Sequence, residues 1–318
     1  MLTSISIIYF VVLAVLVLAA VILLISYYSF RVAFHAPVKK RTTPEFYIEK
    51  YDSGSKEDQK VKELMKEFVG IEYEKVCITS FDGLKLSGRY YHVKDSAPIE
   101  IAFHGYRSHA QRDFCGGSQI CLKNGYNLLV VDQRAHGESD GKIITFGIKE
   151  RFDCLAWANY AAERFGENTK IILSGVSMGA ATVLMASSLD LPKNVVCIAA
   201  DCPYSSPSDI IKRVCRQKRL NPRFFYPFIK LGARLFGHFD LEQGSAVSAV
   251  SKTDIPILLV HGQADDFVPI EMSRKIFNAC RSKKEFFSVP GADHAMSFIK
   301  DKESYTKTVL EFYKKFAG

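Results

Sequence analysis

Apolar and polar residues are arranged in three different ways along this chain. Over residues 5–25 every position is apolar except Ser6 and Tyr9, and no charged side chain occurs before Arg31. A run of that length predicts one helix that crosses a bilayer. The rival reading is a cleaved signal peptide, which takes a basic start, a shorter apolar core and a small-x-small cleavage site. None of these occurs, so an uncleaved transmembrane anchor over residues 1–30 is expected. Tyr27 and Tyr28 suit the interfacial belt of such an anchor. Arg31, Lys39, Lys40 and Arg41 follow the run and no Lys or Arg precedes it, which predicts a single-pass protein with the long remainder of the chain in the cytoplasm.

The second arrangement is polar and then amphipathic. Residues 36–55 are polar and charged with two prolines and read as a tether. Val61, Leu64, Met65, Phe68 and Val69 then recur at helical spacing, so 31–70 is expected to be tether plus amphipathic helix. Strands over 74–79 and 84–92 flank Phe81-Asp82-Gly83, a hairpin signal. The third arrangement begins at Ile99, where short, largely apolar strands alternate with longer helical stretches. Strands are predicted over 99–104, 127–132, 170–173, 194–200, 257–261 and 285–289. Helices are predicted near 111–124, 149–165, 178–189, 271–281 and 302–316. Strands without polar alternation, separated by helices, indicate a mostly parallel sheet covered on both faces. The fold class is therefore α/β, one domain over 71–318. A basic, aromatic stretch at about 203–252 breaks the alternation and is expected to form a helical cap over the strand ends.

Composition alters this picture in two places. The chain has a net charge of +8, and Lys212, Arg213, Arg216, Lys218, Arg219, Arg223, Lys230 and Arg234 stand in the cap without an acidic residue among them. The surplus thus sits in the cap and the rest is near neutral; no nucleic-acid partner is expected. The eight cysteines include no C-x-x-C pair and read as reduced, buried thiols in a domain too large to need disulfides.

Ser174-Gly175-Val176-Ser177-Met178-Gly179 follows an apolar strand and precedes a small-residue helical run. A G-x-S-x-G pentapeptide alone also reads as a serine in a Gly-containing turn. Between strand and helix it reads as a nucleophile elbow, a sharp turn that lifts Ser177 above the sheet. A serine hydroxyl needs an imidazole to take its proton, and the imidazole needs a carboxylate to orient it. After Ser177 the chain offers Asp265 just past one strand, with Asp266 as its rival, and His294 just past the last strand. The expected oxyanion donors are the backbone N–H of Met178 and one from the loop after His104-Gly105, at Tyr106. His104, His136 and His261 lie near strand ends, but their spacing fits no zinc pattern and they read as structural. Asp293 reads as a loop residue.

His104-Gly105, Asp132-x-Arg134-x-x-Gly137-x-Ser139, Gly175-x-Ser177-x-Gly179, His261-Gly262-x-x-Asp265-x-x-Val268-Pro269 and Gly291-x-x-His294 together resemble the alpha/beta-hydrolase superfamily from about Glu74 onward. The branch this chain is similar to holds membrane-anchored bacterial hydrolases, acylglycerol-lipase-like enzymes and serine aminopeptidase-like proteins. The resemblance favours Asp265 over Asp266. It implies acyl transfer to water with no metal or organic cofactor, and the chain has no H-E-x-x-H and no phosphate-binding Gly-rich loop. An ester-cleaving serine hydrolase, acting on lipid-derived acyl esters among others, is the first expectation. A peptidase or amidase using the same machinery is the enzymatic alternative, and a non-catalytic membrane scaffold the other. For the cap two readings stand: a helix packing its apolar face on the core, or a lid whose basic outer face meets anionic lipid headgroups.

Overall fold

The computed structural model describes residues 2–36, 48 and 54–318. Helix α1 (Leu2–Phe34) is followed by α2 (Lys56–Val69), whose N-cap Ser55 accepts from the Asp58 N–H at 3.0 Å. Strands β1 (Glu74–Thr79) and β2 (Lys85–Tyr91) form the predicted hairpin, closed by a bond from the Ser80 N–H to the Leu84 carbonyl. Then follow β3 (Ile99–Phe103), α3 (Ala110–Asp113), α4 (Gly117–Lys123), β4 (Asn127–Val131), α5 (Glu150–Phe165), β5 (Ile171–Val176), α6 (Met178–Ala186) and β6 (Val195–Asp201). Three helices, α7 (Pro207–Gln217), α8 (Pro222–Gly237) and α9 (Ala246–Val250), separate β6 from β7 (Ile257–Gly262). The chain ends with α10 (Ile270–Ala279), β8 (Lys284–Val289), α11 (Ser297–Lys300) and α12 (Lys302–Ala317).

The strands form one sheet in the order β1-β2-β4-β3-β5-β6-β7-β8, parallel from β4 to β8. Successive strand residues go to opposite faces, as the two-residue period requires. Ile99, Ile101 and Phe103 pack with Trp157 of α5, the alanines of α6 and Ile276 of α10. Ala102, Leu128 and Val130 pack instead with Met65 of α2, Ile120 of α4 and Phe312 of α12. Both faces are thus covered, which is why these strands are apolar at most positions.

Two elements differ from the sequence prediction. The helix expected over 111–124 is two helices, broken at Phe114–Gly116. The Asp113 carboxylate accepts from the Gly105 N–H at 2.7 Å and from Ser108 Oγ at 2.7 Å, which ties the end of the first helix to the loop after β3, and Gly116-Gly117 favour the break. The second difference is at the N-terminus. The helix expected to end with the anchor continues to Phe34, and Phe30, Phe34 and Ala36, within or beside the predicted tether, are buried. The Ile144 N–H donates to the Phe34 carbonyl and the Ala36 N–H to the Lys142 carbonyl, both at 2.8 Å. Apart from Ala36, Ile48 and residues 54–55, the tether over 36–55 lies outside the described residues.

The reason for the longer helix is a packing stripe. Ile22, Ile25, Ser26, Ser29, Phe30, Ala33 and Phe34 are the buried or half-buried positions of α1, spaced as one helical face. That face lies on α8. A Cβ on Gly232 would collide with the Ser26 carbonyl oxygen, so glycine is what lets the two backbones approach. Phe236 meets Tyr27 and Phe30 at ring-centroid distances of 5.1 and 5.9 Å, and Phe34 meets Phe239 edge-on at 5.2 Å. From Ser6 to Val21, by contrast, every residue of α1 is exposed.

Candidate active site

Strand β5 delivers Ser177 at its carboxyl end and α6 starts at the next residue. Ser177 has φ +55° and ψ −111°, a conformation that costs an L-residue energy and persists only where the surroundings enforce it. The enforcement is the pair of glycines. A Cβ on Gly175 would strike the Gly179 backbone, and one on Gly179 would strike the Phe103 carbonyl of β3. The helix can start this close to the sheet only with glycine at both positions. Met178 is the first residue of α6, where the N–H has no intrahelical partner and the positive end of the helix dipole lies beside the serine.

Three side chains from different strand ends meet at this turn. His294 Nε2 is 2.9 Å from Ser177 Oγ, and His294 Nδ1 is 2.7 Å from Asp265 Oδ2. Asp266, the rival carboxylate, is exposed, while Asp265 is buried. Asp293 is exposed and accepts the His294 N–H at 2.7 Å, a loop role. Burial by itself would raise the Asp265 carboxyl, but it accepts hydrogen bonds from His261, His294 and the Val268 N–H, which together hold it down at about 2. Its Oδ1 also takes the Phe267 N–H at 3.0 Å. His261 Nε2 donates to the Val268 carbonyl at 2.8 Å and its Nδ1 is 2.7 Å from Ser273 Oγ, so this imidazole fixes the loop that carries the carboxylate.

The loop after β3 is braced from both sides. His104 Nδ1 donates to the Gly105 carbonyl at 2.8 Å, while its Nε2 accepts from the Gln133 N–H at 3.1 Å. His136 Nε2 accepts from the Arg107 N–H at 3.0 Å and so supports Arg107 at φ +52°. Burial lowers both imidazoles, to about 4 for His104 and about 3 for His136, and both are neutral at physiological pH. Gly105 packs against Ser177, a Cβ on it falling 3.5 Å from the Ser177 Cβ, so the loop after β3 passes beside the nucleophile. The Asp132–Ser139 motif is structural: Arg134 bridges Asp82 and Asp153, and Ser139 Oγ donates to the Asp132 carbonyl.

Two features of the site escaped the sequence reading. The first is the end of α1. Tyr106 Oη donates to the Ala33 carbonyl at 2.7 Å, and the Arg107 guanidinium donates to the carbonyls of Val32 at 2.8 Å and His35 at 3.0 Å. The helix that carries the apolar run therefore holds the loop beside the serine. A stripe of apolar and small residues over 22–34 signals it, masked by the hydrophobicity of the run itself. The second feature is Asp201, at the end of β6, which borders an internal cavity of about 70 Å³ also lined by Glu100, Ser174 and Tyr305. Burial raises its carboxyl to about 6, only partly offset by His261, Tyr305 and His294.

Asp201 gives a stability prediction. An unfolded Asp titrates near 3.9, so the folded protein holds an extra proton between about pH 4 and about pH 6. A carboxyl raised in this way contributes stability that is present below its unfolded value and lost as pH rises through its folded value. Over that window the unfolding free energy should fall by roughly 2–3 kcal/mol more in the parent protein than in Asp201→Asn. Urea unfolding at stepped pH measures it, and parallel curves for the two proteins would refute it.

Cys202 Sγ lies within 4.8 Å of the Asp265 and His294 ligand atoms. Burial raises its thiol well above the usual range, and the carboxylate and imidazole are already bonded to each other, so the trio does not present a thiolate to a metal.

Relatives place this architecture. The chain is 25% identical over 276 residues to the Bacillus subtilis protein YqkD, covering 86% of this chain and 88% of that one. It is 26% identical over 235 residues to YNL320W, an uncharacterized membrane protein of Saccharomyces cerevisiae, covering 73% and 77%. Among solved structures it is similar to the Pyrococcus furiosus esterase Pf2001, with a TM-score of 0.67, 26% identity and coverage of 89% of this chain and 98% of that one. Residues 119–318, well over half the chain, match the prolyl oligopeptidase family. With that match and a sheet of this order, the chain belongs to the prolyl oligopeptidase family, within the alpha/beta-hydrolase superfamily.

Proposed function

We propose that this protein is a membrane-anchored serine hydrolase that cleaves carboxylic esters, lipid-derived acyl esters among them, through an acyl-enzyme. The observation that carries the proposal is the unbroken series from Asp265 through His294 to Ser177 at a strained elbow. In this reading Ser177 Oγ attacks the ester carbonyl while His294 Nε2 takes its proton. The negative charge that develops on the carbonyl oxygen is met by the N–H groups of Met178 and Tyr106. His294 then protonates the leaving alcohol, and a water molecule, activated by the same imidazole, releases the acid. Asp265, ionised because of its hydrogen bonds, orients His294 and stabilises its charged form. The esterase name of the similar Pyrococcus protein supports ester chemistry.

The family description favours a second reading, cleavage of peptide or amide bonds by the same residues. Turnover of p-nitrophenyl esters of graded acyl length, beside aminoacyl amides, separates the two. A fluorophosphonate probe tests both: it should label the parent protein and leave Ser177→Ala unlabelled. Equal labelling of the two sinks the assignment of Ser177. The exposed apolar stretch of α1 over 6–21 supports an anchor, and Arg31 with Lys39, Lys40 and Arg41 supports a cytoplasmic catalytic domain. The yeast relative's description as a membrane protein agrees with the anchor.

A further inference from the structure

We infer that the turn between α7 and α8 is a lipid-contacting platform, seated on an anionic bilayer surface beside α1. The inference rests on the reading of α1 as a membrane anchor and adds where the catalytic domain touches the membrane. Helices α1 and α8 pack in parallel: Gly232 meets Ser26 and Phe30, Gly237 meets Phe30, and Phe239 meets Phe34. Their N-terminal ends therefore point the same way, toward the exposed part of α1. That part, Ser6 to Val21, is about 16 residues or roughly 24 Å long, most of the thickness of a bilayer's hydrocarbon core. Phe224 lies about 12 Å N-terminal of Gly232 along α8, which brings it level with α1 near Leu18 to Ile22, where the exposed stretch ends.

The chemistry of the turn suits that level. Leu220 and Phe224 are exposed apolar side chains, and the Phe224 ring packs with Phe225 and Phe228 into an aromatic wedge. Arg216, Lys218, Arg219 and Arg223 surround them, all exposed. Apolar tips within a ring of cations match a surface of acyl chains beneath anionic headgroups. The platform is also tied to the catalytic residues. Arg213 and Gln217 at the end of α7 each donate to the Asp266 carbonyl at 2.7 Å, next to Asp265, and Phe267 packs on the His294 ring. A substrate leaving the bilayer at this turn emerges at the loop that holds Asp265, beside His294, which specifies acyl esters that partition into membranes.

The test is the depth of single spin labels on the full chain in phosphatidylcholine vesicles, with and without phosphatidylglycerol. Cys77, the exposed cysteine, is first replaced by serine. Labels are then placed one at a time by Leu220→Cys, Leu13→Cys and Lys307→Cys, each an exposed position. Collision with oxygen over a water-soluble nickel chelate should be high at 13 and 220 and low at 307. Replacing Arg216, Lys218, Arg219 and Arg223 by glutamine should lower the ratio at 220 several-fold in the phosphatidylglycerol vesicles and leave 13 unchanged. A label at 220 that matches 307 while 13 is in lipid overturns the platform alone. Water exposure at 13 as well overturns the anchor with it. A ratio at 220 that ignores both phosphatidylglycerol and the four substitutions overturns the role of the basic residues.

Discussion

Ser177→Ala should lower ester turnover by about 10⁴- to 10⁶-fold, with His294→Ala comparable and Asp265→Asn at roughly 10³- to 10⁴-fold. The ranking follows from what each group does. Without the serine hydroxyl there is no nucleophile, and without the imidazole the hydroxyl keeps its proton. An amide at 265 leaves both in place but cannot favour the tautomer with the proton on Nδ1, because it offers a donor where a carboxylate accepts. The losses should not add: combined with Ser177→Ala, the other two substitutions should change little further, since the three act as one unit. Because hydrogen bonds hold the Asp265 carboxyl at about 2, its contribution to stability is present above the unfolded value and is lost only as pH falls through that level. Asp265 should therefore stay ionised throughout any practical assay, and Asp265→Asn should lower kcat across the assay range. Steady-state rates on a p-nitrophenyl ester, with circular dichroism to establish folding, provide the measurement. A Ser177→Ala protein that retains a tenth of the parent rate would be incompatible with the mechanism.

Phe34→Ala should cost about 3–5 kcal/mol of stability, the range for emptying a buried aromatic site. Phe34 is fully buried, and its ring meets Phe30, Phe146 and Phe239 at centroid distances of 6.1, 5.7 and 5.2 Å. A loss of that size is a large share of the roughly 5–15 kcal/mol that holds a domain together. The same helix end accepts hydrogen bonds from Tyr106 and Arg107, so the effect should reach catalysis. Two truncations separate anchor from brace. Removing residues 1–21 deletes the exposed stretch and leaves the packing stripe, and should preserve kcat and stability in detergent. Removing residues 1–36 deletes the stripe as well, and should lower kcat by about 10- to 10²-fold through the loosened oxyanion loop, with a smaller change in KM. Urea unfolding and steady-state kinetics on the two proteins decide it. Equal kcat for both would mean that α1 serves only as an anchor.

The alternation of apolar strands and helices was legible in outline, because strands buried on both faces leave little room for polar positions. The order serine, aspartate, histidine was legible for a related reason, since each residue stands within a few positions of a strand's carboxyl end. The choice of Asp265 over Asp266 rested on the resemblance of His261-Gly262-x-x-Asp265-x-x-Val268-Pro269 and not on periodicity. One side chain is buried against His261 and His294 while its neighbour faces solvent, and adjacent residues of a loop carry no periodicity that separates them. The break at Phe114–Gly116 was hidden as well, because it involves the Asp113 carboxylate reaching back to the Gly105 N–H, a contact that no helical or strand period announces.

The apolar run at the start of the chain shows the division most plainly. By itself the sequence determined that a long hydrophobic helix begins the chain, since length and hydrophobicity are local quantities. It also determined which residue types stand at the carboxyl ends of the strands. Only the tertiary structure decided that the last third of that helix is packed on α8 and bonded to Tyr106 and Arg107. A contact stripe made of Ile, Phe, Ala and Ser cannot be distinguished from a lipid-facing surface by composition. What distinguishes them is the complementary surface, with Gly232 at the point of closest approach, and that surface is brought there by a segment about 200 residues away.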